Sequence, residues 1–114
     1  MAPDGDINIV YVRKFSPLLD EENTQVLGEQ LFRLVDSQGK RKVLLNFENV
    51  AFVSSGALGK LFTLNKKLQA AGGKLVMCKI GKEILEVFEV TKLDKVFSIY
   101  PDQYTALGAL QGKA

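Results

Sequence analysis

The chain contains no histidine. That excludes a serine–histidine or cysteine–histidine nucleophile pair. With Cys78 as its single cysteine it also excludes zinc sites built from imidazole and thiolate, so no metal and no cofactor is expected. One thiol cannot close an intrachain disulfide, which fits a reducing, cytoplasmic setting. Cys78 lies in the apolar run Leu75-Val76-Met77-Cys78 and reads as a small core residue rather than a reactive thiol. No window approaches the roughly 18 apolar residues of a membrane span. Met1 to Asp6 has neither the basic start nor the long apolar segment of a signal peptide, so no membrane partner is expected. Strong charge of either sign is also missing. The net charge is +2, and Lys40-Arg41-Lys42 is the only dense basic cluster. Without aromatic or repeated basic support it reads as a solvated turn, not a nucleic-acid surface.

What remains is an ordinary globular composition of 114 residues, 46% hydrophobic and 25% charged. That length fits one domain over residues 1–114, with a polar, flexible start over 1–6, and can bury a core without staples. Ile7 to Phe15 alternates as a strand, broken at Ser16-Pro17. A helix follows over roughly 22–38, capped by Asn23 or Thr24, with Val26, Leu27, Leu31, Leu34 and Val35 as its apolar stripe. Val43 to Phe47 is a short apolar strand, and Val50 to Val53 continues apolar up to Ser54. A helix over about 56–71 buries Leu58, Leu61, Phe62, Leu64 and Leu68 and stops at Gly72-Gly73. Leu75 to Ile80 is a strand and Lys82 to Val90 a helix with Ile84, Leu85 and Phe88 inward. Val96 to Tyr100 is the last strand. Pro101-Asp102 opens a final helix with Tyr104, Leu107 and Leu110 inward. Strand and helix alternate throughout, which points to an α/β domain with four to five strands in a mainly parallel sheet and four helices. Ile7–Phe15 would be an exposed edge, a route to pairing between chains and so to a homo-oligomer.

The stretch Phe52-Val53-Ser54-Ser55-Gly56-Ala57-Leu58-Gly59-Lys60-Leu61 carries the most chemistry. It places two hydroxyls where strand passes into helix, against N–H groups that lack intrahelical partners and carry partial positive charge. Such hydroxyls cap helices; there they can equally carry or meet a phosphate. Gly56 to Leu61 is not a nucleotide phosphate loop, since two residues rather than four separate its glycines and Leu61 follows the lysine. Asp20-Glu21-Glu22 lies at a helix start, where carboxylates complement the dipole. No catalytic residues are expected.

These residues resemble a STAS domain of the kind found in bacterial anti-sigma factor antagonists. The matching pieces are Val43 to Val50, Phe52 to Gly59, Ala71 to Cys78, the later Val87-Phe88, Leu93 and Val96, and Leu19-Asp20 before the first long helix. The family core reads apolar-Asp-Ser-Ser/Thr-Gly-Leu-Gly. Placed without gaps, its Asp falls on Ser54, its phosphorylated serine on Ser55, its next hydroxyl on Gly56 and the following glycine on Ala57, while Leu58 and Gly59 match. The resemblance implies a non-enzymatic, partner-switching phosphoprotein in signal transduction and transcription regulation. Its unphosphorylated form would bind an anti-sigma factor with serine protein kinase activity through Asp20, Ser54, Ser55, Gly56, Leu58 and Gly59. Phosphate on Ser55, with Ser54 as the second candidate, would end that binding. Two other readings stay open: a scaffold module in which Ser54-Ser55 only caps, and a binder of a small anionic or apolar ligand near residues 52–60.

Overall fold

The computed structural model describes residues 7–14, 18–36 and 41–110. In chain order the elements are β1 (Ile7–Tyr11), β2 (Leu18–Leu19), α1 (Glu21–Asp36), β3 (Lys42–Asn46), β4 (Phe52–Val53), α2 (Ser55–Ala70), β5 (Lys74–Cys78), α3 (Lys82–Val90), β6 (Ser98–Tyr100) and α4 (Gln103–Leu110). Four strands form an all-parallel sheet in the order β1-β3-β5-β6, and β2 and β4 form a separate two-stranded parallel ladder. The α/β architecture with a parallel sheet and four helices is therefore the one expected.

Period-two alternation divides the sheet's side chains between two apolar layers. On one face Val43, Leu45, Leu75 and Met77 pack with Leu27 and Leu31 of α1, Leu61, Leu64 and Leu68 of α2, and Ile84 and Phe88 of α3. On the other, Leu44, Val76 and Cys78 meet Ala106 and Leu110 of α4. Because β3 and β5 are covered on both faces, they read as unbroken apolar runs. The largest side chains here, such as Phe47, Phe88 and Leu64, are fully buried, each contributing about 1.5–3 kcal/mol in transfer terms. The Phe88 and Phe97 rings lie 5.7 Å apart at 52°, a tilted arrangement that aromatic quadrupoles favour. Within the four-stranded sheet each strand is added on the same side of the one before, so its order never reverses. Among the described residues the crevice in which doubly wound sheets bind ligands, at such a reversal, has no counterpart.

The α2–β5 corner is a glycine cap. Gly72 has φ +80°, and the N–H groups of Gly73 and Gly72 donate to the carbonyls of Leu68 (2.7 Å) and Gln69 (3.1 Å), the paired bonds of a Schellman motif. Arg41 Nη1 donates to the Ala71 carbonyl at 2.9 Å, so part of the expected solvated basic turn ties the start of β3 to the end of α2. Lys40 lies outside the described residues.

Several boundaries differ from the sequence reading. β1 ends at Tyr11 and turns into a 3-10 segment over Val12–Lys14, which buries Val12; Phe15, Ser16 and Pro17 lie outside the described residues. α1 is capped by Asp20 rather than Asn23 or Thr24, because Asp20 Oδ1 accepts from the Asn23 N–H at 3.0 Å. Val26 is exposed: the helix rotates Leu27 and Leu31 inward and leaves Val26 beside them, facing water. β6 begins only at Ser98, since a 3-10 turn over Leu93–Lys95 intervenes and leaves Val96 exposed. Tyr104 is 88% exposed; Ala106 and Leu110 are the buried positions of α4.

Candidate functional site

The site is built by two short parallel strands that each run into a helix. β2 and β4 pair through Leu18 with Phe52 and Leu19 with Val53. The next residue on each strand, Asp20 and Ser54, is the cap of α1 and α2 respectively. Parallel pairing in this register therefore sets two helix N-termini side by side, both positive ends pointing the same way.

The two serines split into different roles. Ser54 is extended (φ −76°, ψ 165°), and its Oγ accepts from the Ala57 N–H at 3.1 Å. The same Oγ lies 3.5 Å from Thr24 Oγ1 in the first turn of α1. Ser54 and Thr24 are only 9% and 3% exposed. Ser55, the first residue of α2, is exposed. Its N–H and that of Gly56 precede the capped Ala57 at the positive end of the helix. The sequence places both hydroxyls at the strand-to-helix junction; the structure turns one outward and spends the other on the cap and the joint to α1.

The remaining residues expected at the partner surface also divide. Asp20 is exposed, Gly56 is half-buried, and Gly59 is exposed, with nothing within 4 Å of where a Cβ would stand. Leu58 is 8% exposed and packs in the core. Its side chain supports the surface from beneath and is not offered to a partner, because helical spacing turns it toward the sheet. Phe52, in the apolar run that leads up to Ser54, is 49% exposed. The β2–β4 ladder is only two residues long, and nothing in the sequence pattern distinguishes so short a ladder from the edge of a longer one.

Electrostatically, α2 carries Lys60, Lys66 and Lys67 and no carboxylate. The Lys60 stem lies across Gly28 of α1, where a Cβ would come 3.1 Å from Lys60 Cδ, and its ammonium sits 5.8 Å from the Phe32 ring centroid. Lys67 pairs with Asp36 at 3.1 Å. Asp20 thus brings a carboxylate to an end of the molecule that helix dipoles make positive. Among the described residues no group of three acidic, cysteine or histidine side chains could hold a metal. No helix of the described residues is long and apolar enough to cross a membrane. A depression of about 280 Å³ runs along α3 beside Glu83, Val87 and Val90 and includes none of these residues.

Cys78 is fully buried. Burial, reinforced by the negative charge of Asp102, pushes its thiol up to about 11. The folded state therefore holds a proton that the unfolded chain releases above its ordinary value near 9.0. The unfolded chain binds fewer protons in that range, so stability falls as pH rises from about 9 to about 11. Urea midpoints measured across this window should decline, and Cys78→Ala should remove that part of the decline.

The model of the STAS domain family matches residues 5–106. The anti-sigma F factor antagonist of Paenibacillus polymyxa is 22% identical over 90% of this chain and 87% of its own length. Among solved structures, an anti-sigma-factor antagonist (STAS) domain protein from Planctomyces limnophilus superposes with a TM-score of 0.82 at 23% identity, covering 91% of this chain and 90% of that one. The Thermotoga maritima protein TM1081 gives 0.81 at 23% identity over 95% and 84%. At such identities the structural likeness establishes the fold, and function has to be argued from the site.

Proposed function

The chain belongs to the STAS domain family, and from that premise we propose that it works as an anti-sigma factor antagonist switched by phosphate on Ser55. The observation that carries the reading is the division of the two serines: Ser54 is buried in the cap, whereas Ser55 is exposed at the start of α2. An incoming kinase can reach the second hydroxyl and not the first. The relatives' names supply the partner class, an anti-sigma factor. The resemblance adds that this partner is itself a serine kinase bringing ATP and magnesium. Ser55 Oγ attacks the γ-phosphorus, ADP departs, and the hydroxyl proton passes to a base on the kinase. This chain supplies the acceptor and performs no catalysis.

The unphosphorylated surface consists of Ser55, Gly56 and Gly59 on α2, with Asp20 alongside. Gly59 allows a partner backbone to approach closely, since nothing occupies the space above it. Phosphate adds roughly −1.5 to −2 charges at pH 7. The α2 N-terminus tolerates that charge, so the fold persists while a partner's acidic groups or carbonyls at the interface are repelled. Partner binding is switched without refolding.

Incubation with candidate anti-sigma factor kinases and ATP, followed by site mapping by mass spectrometry, tests the proposal. Modification is expected at Ser55 and not at Ser54. A stable complex that never transfers phosphate would instead support a constitutive binding module, the reading favoured by Ser54 standing where the family has an acid.

A further inference from the structure

We propose that the Thr24–Ser54 hydroxyl pair is the positioning element of this site, holding the start of α1 against the start of α2 so that Asp20 and Ser55 meet a partner in one fixed relation. The proposal rests on the reading of Ser55 as the switch residue and adds how the site is kept in register. Asp20 and Ser55 belong to different helices. The ladder that could align them ends at Leu19 and Val53, one residue short of either cap. Beyond it, the Thr24 and Ser54 hydroxyls meet at the very start of the two helices, with Oγ1 and Oγ 3.5 Å apart, while the Lys60 stem on Gly28 and the Lys67–Asp36 pair join the helices further along. Each hydroxyl is one short link from a group on the surface. The Thr24 N–H donates to the Asp20 carbonyl at 2.9 Å, and Ser54 is bonded directly to Ser55.

At 3.5 Å the two hydroxyl oxygens are in polar contact beyond the usual O–H···O range, and the contact is individually weak. Its importance is geometric. Both residues are more than nine-tenths buried, so water does not fill in for the lost contact; Ser54 Oγ keeps the Ala57 N–H but no longer bears on α1. A shift of about 1 Å between groups that a partner must engage together is enough to cost a large factor in productive binding.

The test uses the full chain and whichever anti-sigma factor kinase phosphorylates it in the mass spectrometric assay. Thr24→Val keeps the side-chain volume and removes the hydroxyl. KM for Ser55 phosphorylation should rise about five- to tenfold with kcat within about twofold, and Thr24→Ser should restore both. In an Asp20→Asn background, Thr24→Val should add less than about twofold, because the group it positions is gone. Wild-type kinetics in a folded Thr24→Val protein, or effects that multiply in full with Asp20→Asn, overturn the proposal. If Thr24→Val does not fold, Ser54→Gly removes the other hydroxyl at small cost to the cap and is judged by the same criteria. If no kinase modifies the wild-type protein, the switch reading fails, and the joint is then judged without a partner. Iodoacetamide titration of Ser55→Cys reads the new thiol, while the buried Cys78, raised to about 11, stays silent. Asp20→Asn should lower that thiol's pKa by roughly 0.3–0.5 with Thr24 present and by less than half as much in Thr24→Val. An equal shift in both backgrounds overturns the positioning role.

Discussion

Ser55→Asp is expected to weaken partner binding at least about a hundredfold while the protein stays folded. The two halves of this expectation have separate physical origins. Folding is preserved because residue 55 is exposed and heads α2, where an added carboxylate meets the positive end of the helix. Binding is lost because the same charge, buried against a partner whose groups complement a neutral hydroxyl, is left uncompensated at a cost of several kcal/mol. Ser55→Ala should keep most of the affinity, since it adds no charge, but should abolish phosphate transfer. Titration calorimetry with the kinase partner separates these outcomes. Undiminished affinity in a folded Ser55→Asp protein would remove the electrostatic basis of the switch.

The largest effect on stability should come from Gly73→Ala, far from the site. A Cβ there would stand 2.0 Å from the Arg41 carbonyl oxygen and 2.8 Å from its carbon. These are backbone atoms, and the same carbonyl accepts the Lys74 N–H at 2.7 Å, fixing the β3–β5 register that starts at Lys42 and Lys74. Relief of the clash must separate the two central strands or break the Schellman turn. We expect a loss of roughly 3 kcal/mol or more, lowering Tm by roughly 10–15 °C. Gly72→Ala is the control: its φ of +80° is strained for alanine, but nothing lies within 4 Å of the new methyl, so it should cost about 1 kcal/mol. Urea unfolding of both variants checks the ranking, and equal losses would contradict it.

How far the sequence reached can be judged residue by residue. α3 was legible to the residue, because Ile84 and Phe88 repeat at helical spacing between a glycine and a turn. β3 and β5 were legible from unbroken apolar runs, which only a doubly covered strand requires. β2 and the extent of β4 are not legible, since a two-residue ladder leaves no periodicity to detect. Val26 and Tyr104 read as inward by residue type alone, but helix rotation decides facing and turns both to water. At the site, the position of Ser55 came from the motif and its neighbours, but the opposite orientations of Ser54 and Ser55 did not. That orientation follows from the φ and ψ of the cap, and the Thr24 contact comes from another helix.

Under the proposed switch, Ser55 carries the one hydroxyl whose modification decides binding. Native mass spectrometry of the complex with its kinase, before and after ATP, tests this in a single experiment. The unmodified chain should be found in the complex, the chain carrying phosphate at Ser55 only free, and Ser55→Ala bound throughout. Phosphorylated chain retained in the complex, or release of Ser55→Ala on addition of ATP, would contradict the switch.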